Sequence, residues 1–452
     1  LPRPRRAASR GLRWPGLAAL LLLAACAAPS VQNAPAGAQA EPPPAPEPQV
    51  EAQPEAPLFP QQPVRQIEIG GPVKIGLLVP LSGRYARLGE TLSNAAQLAV
   101  FDTADDRFTL LIKDTQGTAF GAQQAARDAI AEGARLLIGP VFATNVPGVA
   151  DEARAAQINV LSFSNDRSVA GDGVFVLGLA PETQVDRIVG YSRAQGLQRF
   201  AVLAPRTPYG ETVVGALRAA TIRYGAELAR IGFYDPNATD ISAEVRQFAN
   251  YDQRHRALIS QRQVLAARND EAAKLALKRL DGLDTLGPPQ FDAVLVPESG
   301  KRLLTVAPML AYFDVDPAEV KFLGTSLWED EGLTREPTLQ GGWFTVPPRE
   351  LWLNFVKRFR ETFDDTPARI AGLAYDATAL AAVLAQRAAA DGREPRFAAE
   401  ELTQSSGFAG INGLFRLRPD GTNDHALAIV TIDNGQFVTV DPAPQSFQPL
   451  GY

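Results

Sequence analysis

The chain has 452 residues, a formal net charge of −6, 46% apolar residues, two histidines and one cysteine. The small negative balance gives no basis for nucleic-acid binding, and a lone cysteine cannot form an intrachain disulfide. His255 and His425 lie far apart in sequence, and no HExxH, GxSxG, SxxK, Walker or GxGxxG pattern is present, so nothing supports an enzyme, a cofactor or a metal site.

Arg3, Arg5, Arg6, Arg10 and Arg13 precede a short apolar run, Leu17–Ala25, that is too short to span a bilayer. The run ends in Leu23-Ala24-Ala25-Cys26, which resembles a bacterial lipobox. The resemblance implies that residues 1–25 form a lipoprotein signal peptide, with cleavage before Cys26 and lipidation of that residue. Ala27 follows where an Asp is associated with inner-membrane retention in enteric bacteria. By that analogy the expected location is the outer membrane of a Gram-negative cell, lipid-anchored and facing the periplasm. Residues 26–66 are rich in Pro, Ala, Gln and Glu without apolar periodicity, which predicts a disordered, partly polyproline-II tether. At ~3 Å per residue it would reach on the order of 100 Å.

Roughly 385 residues follow the tether, which suggests two domains. Val73–Val79 is a short apolar run that predicts a buried strand. Pro80-Leu81-Ser82-Gly83 breaks it, and Leu88–Phe101 has helical spacing. The same strand–loop–helix unit repeats: strand Phe108–Ile112 and helix Ala119–Ala131, strand Arg135–Ile138 and helix Val149–Ala155, then strand Asn159–Ser162 and the extended piece Val174–Leu179. A second run begins with helix Pro181–Ala194, strand Phe200–Ala204, helix Glu211–Tyr224 and strand Ala226–Tyr234. Strands Phe291–Val296 and Val320–Leu323 flank helix Arg302–Phe313. Alternation of this kind predicts an α/β fold with parallel, doubly wound sheets, whose ligand loops lie at the carboxyl ends of the strands.

Five segments, IGLLVPLSGRYARLG, IKDTQGTAFGAQQAA, LLIGPVFATN, INVLSFSN and TPYGETVVGALRAA, occur in this order, and together resemble the type I periplasmic binding protein fold. That resemblance implies two Rossmann-like lobes joined by three crossover strands, near Leu179–Thr183, Gly342–Pro348 and Gly407–Leu414. Lobe 1 would hold residues 72–181 and 348–410, lobe 2 residues 182–347 and 411–440, and residues 441–452 a C-terminal tail. In the branched-chain amino-acid binders of this fold, first-lobe hydroxyls and backbone groups hold the ligand carboxylate, and a second-lobe acid pairs with its ammonium. Carried over, the resemblance points to a cleft formed by Ser82, Gly83, Arg84, Tyr85, Ala143, Thr144, Asn145, Ser162, Ser164, Asp166, Tyr209, Ser326 and Trp328. An acid, Asp166, stands where a Thr is expected, and Thr325-Ser326-Leu327-Trp328 occupies the place of the second-lobe acid. These departures retain the fold and weaken the case for amino-acid recognition.

FDAVLVPESGKRLLTVAPMLAYF, FLGTSLW, GGWFTVPP, AGLAYDATALAAVLA and GINGLFRLRPDG together resemble the penicillin-binding protein activator lipoproteins. That resemblance implies a non-enzymatic protein whose partner is a peptidoglycan synthase, with a small polar ligand in its cleft. The alternative is the substrate-binding lipoprotein of an ABC transporter for amino acids or a related small polar solute. Enterobacterial activators carry an added helical-repeat domain, whose place a Pro-rich tether takes here. Arg254–Leu283 is a helical stretch with Leu258, Leu265, Ala272 and Leu280 near heptad spacing and seven basic residues, from Arg254 to Arg279. It reads as a solvated surface helix packed on lobe 2; the sharper alternative is a docking surface for a partner or an anionic polymer.

Overall fold

A computed structural model describes residues 71–447 other than residue 269. The expected signal peptide, Cys26 and the expected tether lie outside the described residues.

The first lobe is built on a five-stranded parallel sheet in the order Phe108–Asp114, Val73–Val79, Leu136–Ile138, Asn159–Ser162 and Val174–Val176. Val73–Val79 is buried on both faces except at Lys74, as expected of a strand inside a helix-covered parallel sheet. Helices Ala86–Thr103 and Ala371–Ala390 cover one face of this sheet together with Arg349–Phe363. Ala119–Ala131 and Val146–Ala155 cover the other.

The second lobe is a seven-stranded sheet in the order Gln436–Asp441, Ala428–Asp433, Trp343–Val346, Lys321–Gly324, Ala293–Leu295, Arg199–Pro205 and Glu227–Tyr234. The last two strands of the chain run antiparallel to their neighbours, and the other pairings are parallel. Helices Pro181–Ala194 and Pro208–Arg223 pack on one face, and Ser242–Phe248 and Gly300–Tyr312 on the other.

The chain passes between lobes at Leu177–Ala180, at Pro347-Pro348 and between Asn423–His425 and Ala428–Asp433. The third passage falls later than the expected Gly407–Leu414. Glycines make that segment look like a crossing, but Phe408–Gly410, Gly413–Leu417 and Asn423–His425 form a three-stranded antiparallel sheet. Its Phe408, Phe415 and Leu417 belong to the first-lobe core. The expected single helix over Arg254–Leu283 is instead a pair, Tyr251–Arg268 and Glu271–Leu280. Asp270 starts the second helix by accepting from Ala273 N at 2.7 Å.

The first turns of three helices share one packing device. A Cβ on Gly89 would lie 2.0 Å from Pro80 O, one on Gly121 2.3 Å from Thr115 O, and one on Gly210 2.0 Å from Pro205 O. In the last two, Thr118 and Thr207 cap the helix by accepting from Gly121 N at 3.0 Å and Gly210 N at 3.1 Å. The glycine lets the helix start directly over a carbonyl at the strand's end or one residue past it, which brings the intervening loop to the sheet edge.

Candidate functional site

A cavity of about 520 Å³ lies between the lobes, at the carboxyl ends of parallel strands. Its first-lobe wall comes from the loops after Leu136–Ile138 and Asn159–Ser162, which supply Val141–Thr144 and Phe163–Asn165. Tyr209, Gln184, Ser326 and Leu327 form the second-lobe wall, and Gly178 and Leu179 belong to the first passage. Arg369, Ile370, Leu373 and Asn412 close the remaining side.

Hydrogen bonds hold these walls in place. The Tyr209 hydroxyl lies 3.0 Å from Thr325 Oγ1, and burial pushes its phenol pKa up to about 12. Gln184 Nε2 donates to Leu179 O at 3.0 Å, while its Oε1 accepts from Ser326 N at 2.8 Å. One side chain thereby joins the first passage to the second-lobe loop. Ser164 Oγ accepts from Asp166 N at 3.0 Å, which leaves its own O–H free to donate.

Charge on the wall is sparse. Among the described residues, Arg369 is the only charged one that lines the cavity. Behind it, Glu329 lies 3.1 Å from Arg349 Nη1 and 3.5 Å from Arg369 Nε. Burial pushes the Glu329 carboxyl upward, against the pull of the two guanidiniums, and pushes the Arg369 guanidinium downward. The Asp376 carboxyl also acts on the Arg369 guanidinium, so the two arginines face two carboxyls behind the wall. Asp376, also buried, accepts from Ile411 N at 2.7 Å, Asn412 N at 3.1 Å and Asn412 Nδ2 at 2.9 Å. Burial raises its pKa to about 6, and its three donors fix Asn412 on the wall. Among the described residues no group of three or more His, Cys, Asp or Glu is placed to hold a metal ion. Nor, among them, is any helix long and apolar enough to cross a membrane.

Of the residues expected from the sequence, Ala143, Thr144, Ser164, Tyr209 and Ser326 meet on the cavity wall. Ser162 and Asn145 are buried behind it: Ser162 Oγ donates to Pro140 O at 3.0 Å, and Asn145 Oδ1 accepts from Thr144 Oγ1 at 3.4 Å. Asp166 is exposed and caps the turn Arg167–Val169 by accepting from Ser168 N at 2.9 Å. Ser82, Gly83 and Arg84 are exposed at one remove from the cavity. Arg84 stacks over the Tyr85 ring, which packs 4.5 Å from the lining residue Phe142. Trp328 is no wall residue. It is fully buried in the second-lobe core, donates Nε1–H to Val296 O at 3.0 Å, and its ring fills the space a Cβ on Gly324 would need.

Phe163 lies inside the expected loop Ser162–Asp166, whereas sequence reasoning missed Phe142, which adjoins Ala143, and Gln184, Arg369, Leu373 and Asn412, which adjoin no expected residue. Phe142 could have been found by extending its loop by one residue. Arg369 carried no local signal, because only the return of helix Ala371–Ala390 to the first lobe brings it to the cleft.

Residues 72–436 match the family model described as periplasmic binding protein. An uncharacterized protein of Rickettsia prowazekii is 26% identical over 179 residues, 39% of this chain and 47% of that protein. Penicillin-binding protein activator LpoA from Vibrio cholerae is 26% identical over 175 residues, 37% of this chain and 28% of the activator. The chain thus matches less than half the length of these curated relatives. Among solved structures, a Rhodospirillum rubrum protein assigned to branched-chain amino acid ABC transport superposes with a TM-score of 0.63 at 16% identity, over 82% of this chain and 100% of that one. A Burkholderia xenovorans branched chain amino acid ABC transporter periplasmic ligand-binding protein gives 0.61 at 16%, over 82% and 96%. A Rhodopseudomonas palustris solute binding protein in complex with benzoate gives 0.55 at 18%, over 83% and 98%. At these identities the likeness is one of fold, the type I binding-protein arrangement of two lobes.

Proposed function

The chain belongs to the periplasmic binding protein family, and from that premise we propose that it is a non-enzymatic, periplasm-facing lipoprotein that regulates a peptidoglycan synthase. The observation that carries this reading is the similarity to the penicillin-binding protein activators of Vibrio cholerae. The cleft supports it. A transport receptor for amino acids needs an acid that pairs with the ligand ammonium, whereas among the described residues the wall presents no carboxylate, and Glu329 is held by Arg349 and Arg369. Cys26 is the proposed lipid anchor, and the Pro-rich segment the tether that lets the domain act at a distance from the outer membrane.

A second reading, the substrate-binding lipoprotein of an ABC transporter, draws on the cavity itself and on the solved structures of like fold. Recovery of tagged full-length protein from its own host separates the two. The regulatory reading expects a bifunctional cell-wall synthase among the co-purified proteins, and loss of membrane association for Cys26→Ala. Recovery of an ABC permease without any synthase supports transport instead, and wild-type protein lacking lipid on Cys26 removes the anchor.

A further inference from the structure

We propose that residues 441–447 form a fourth tie between the lobes, a strap beside the third passage that limits how far the lobes open. The strap belongs to the hinge and acts whichever partner or solute the protein serves.

The segment reads Asp-Pro-Ala-Pro-Gln-Ser-Phe. Pro442 and Pro444 have no N–H to give a sheet, so the last strand, Gln436–Asp441, ends where they begin. Alternate prolines also make the segment a stiff spacer rather than a slack one. Arg187, on second-lobe helix Pro181–Ala194, fixes the point of departure. Its Nη2 donates to Asp441 Oδ2 at 2.5 Å, and its Nε donates to Leu427 O, in the third passage, at 2.9 Å. One guanidinium therefore holds the origin of the segment against the passage it runs beside.

From there the chain returns to the first lobe. Ala443 is buried in a cluster with Ala426, Ala428 and Leu414, the last on first-lobe strand Gly413–Leu417. Phe447 packs against the same cluster. The Arg416 guanidinium lies over its ring at 4.6 Å and pairs with Asp424 at 2.7 Å. The ring also fills the space beside Gly407, where a Cβ would come within 3.0 Å of it. Arg416 and Asp424 lie in the three-stranded sheet of the first lobe, and Gly407 directly precedes it.

The antiparallel pair Ala428–Asp433 and Gln436–Asp441 is thus joined to the first lobe at both ends, by the third passage and by the strap. A rotation that bends the passages must also stretch the strap or pull Phe447 from its seat. The prolines resist stretching, whereas the seat is made of noncovalent ring contacts, so the strap yields by releasing Phe447. Lobe opening then has two ranges, a narrow one with the ring seated and a wider one with it released.

The test uses the full chain carrying Cys26→Ala, so that Glu90→Cys and Glu211→Cys supply the only thiols. Both positions are exposed, near the starts of Ala86–Thr103 in the first lobe and Pro208–Arg223 in the second. Spin labels there report lobe separation as a distance distribution. A chain ending at Asp441, and Phe447→Ala in the full-length chain, should both shift that distribution to longer distances and broaden it. Phe447→Tyr keeps the ring and should keep the wild-type distribution. Circular dichroism and thermal melts establish that each variant is folded. The same distribution in wild type and folded Phe447→Ala overturns the strap, even where Tm falls, because the segment then only packs. Where the shortened chain does not fold, Phe447→Ala decides. A Phe447→Tyr distribution matching that of Phe447→Ala removes the ring as the seat and overturns the proposal likewise.

Discussion

His425 and Asp376 are buried titratable groups with opposite effects on acid stability. His425 Nε2 lies 3.0 Å from Leu177 O, so that nitrogen carries the proton in the neutral ring, and Nδ1 is buried without a partner. Protonation would place a proton on Nδ1 with no acceptor, and burial lowers the imidazole pKa to about 4. The folded state then binds fewer protons than the unfolded chain, so stability falls as pH drops from about 6.5 toward 4. Asp376 has a raised pKa of about 6, so its folded form binds more protons, and the same acidification stabilises it. The two slopes offset, each with a limit on the order of 3 kcal/mol. Thermal melts between pH 7.5 and 4 should therefore show a smaller acid loss for His425→Gln than for wild type, and a larger one for Asp376→Asn. Parallel pH profiles for all three proteins would contradict both assignments. Trp328 marks the limit of reading at this scale. A large aromatic in a predicted ligand loop looks like a binding residue, and only the absence of a side chain at Gly324 turns it inward.

Short strand–loop–helix units were the most legible part of the sequence. Val73–Val79, Ala119–Ala131, Asn159–Ser162 and Pro181–Ala194 have the expected bounds, because apolar period and turn residues agree there. Pairings late in the chain were not legible. Gly413–Leu417, Asn423–His425, Ala428–Asp433 and Gln436–Asp441 are short antiparallel strands placed by two different sheets. The Arg254–Leu283 reading overran a helix start at Asp270, followed by Glu271 in the first turn. In the Thr207–Gly210 unit, Thr207→Ala should cost about 1 kcal/mol through the lost cap. Gly210→Ala should cost about 1–3 kcal/mol, because its Cβ meets Pro205 O, and it should displace Tyr209 from the wall. Chemical denaturation checks both; equal stability of Gly210→Ala and wild type would contradict the packing account. In the helical pair, Arg254 is buried, donates to Gly287 O at 3.0 and 2.7 Å, and pairs with Asp314 at 3.1 Å. Arg262 caps the second helix through Leu280 O at 2.6 Å. Arg262 thus ties the two helices together, and Arg254 anchors the first helix to the segments around Gly287 and Asp314. Arg256, Lys278 and Arg279 are exposed. Reversing these three to Glu should change stability by about 0.5 kcal/mol or less and leave synthase recovery unchanged. Loss of synthase recovery in that variant would make the pair a docking surface.

The whole molecule joins two lobes through passages that are themselves cross-linked. Asn423 Nδ2 donates to Val176 O at 2.8 Å and Gly178 O at 2.9 Å, and Arg167 Nη2 donates to Thr183 Oγ1 at 2.8 Å and Asn423 O at 3.1 Å. The first and third passages are thereby tied to each other beside the cleft, an arrangement suited to hinge motion of one lobe against the other. Glu329, which follows second-lobe strand Lys321–Gly324, meets Arg349 and Arg369, which open first-lobe helical segments. These contacts bridge the lobes beside the cleft, and under the proposed regulatory reading lobe separation is the property a partner bound to both would sense. The most direct measurement of the regulatory claim is the glycan polymerisation rate of a purified bifunctional synthase from the same bacterium, with and without the purified full chain. The account predicts a several-fold faster rate and a synthase complex that survives gel filtration. An unchanged rate with no complex, alongside solute uptake by a reconstituted ABC permease that depends on this protein, would contradict it.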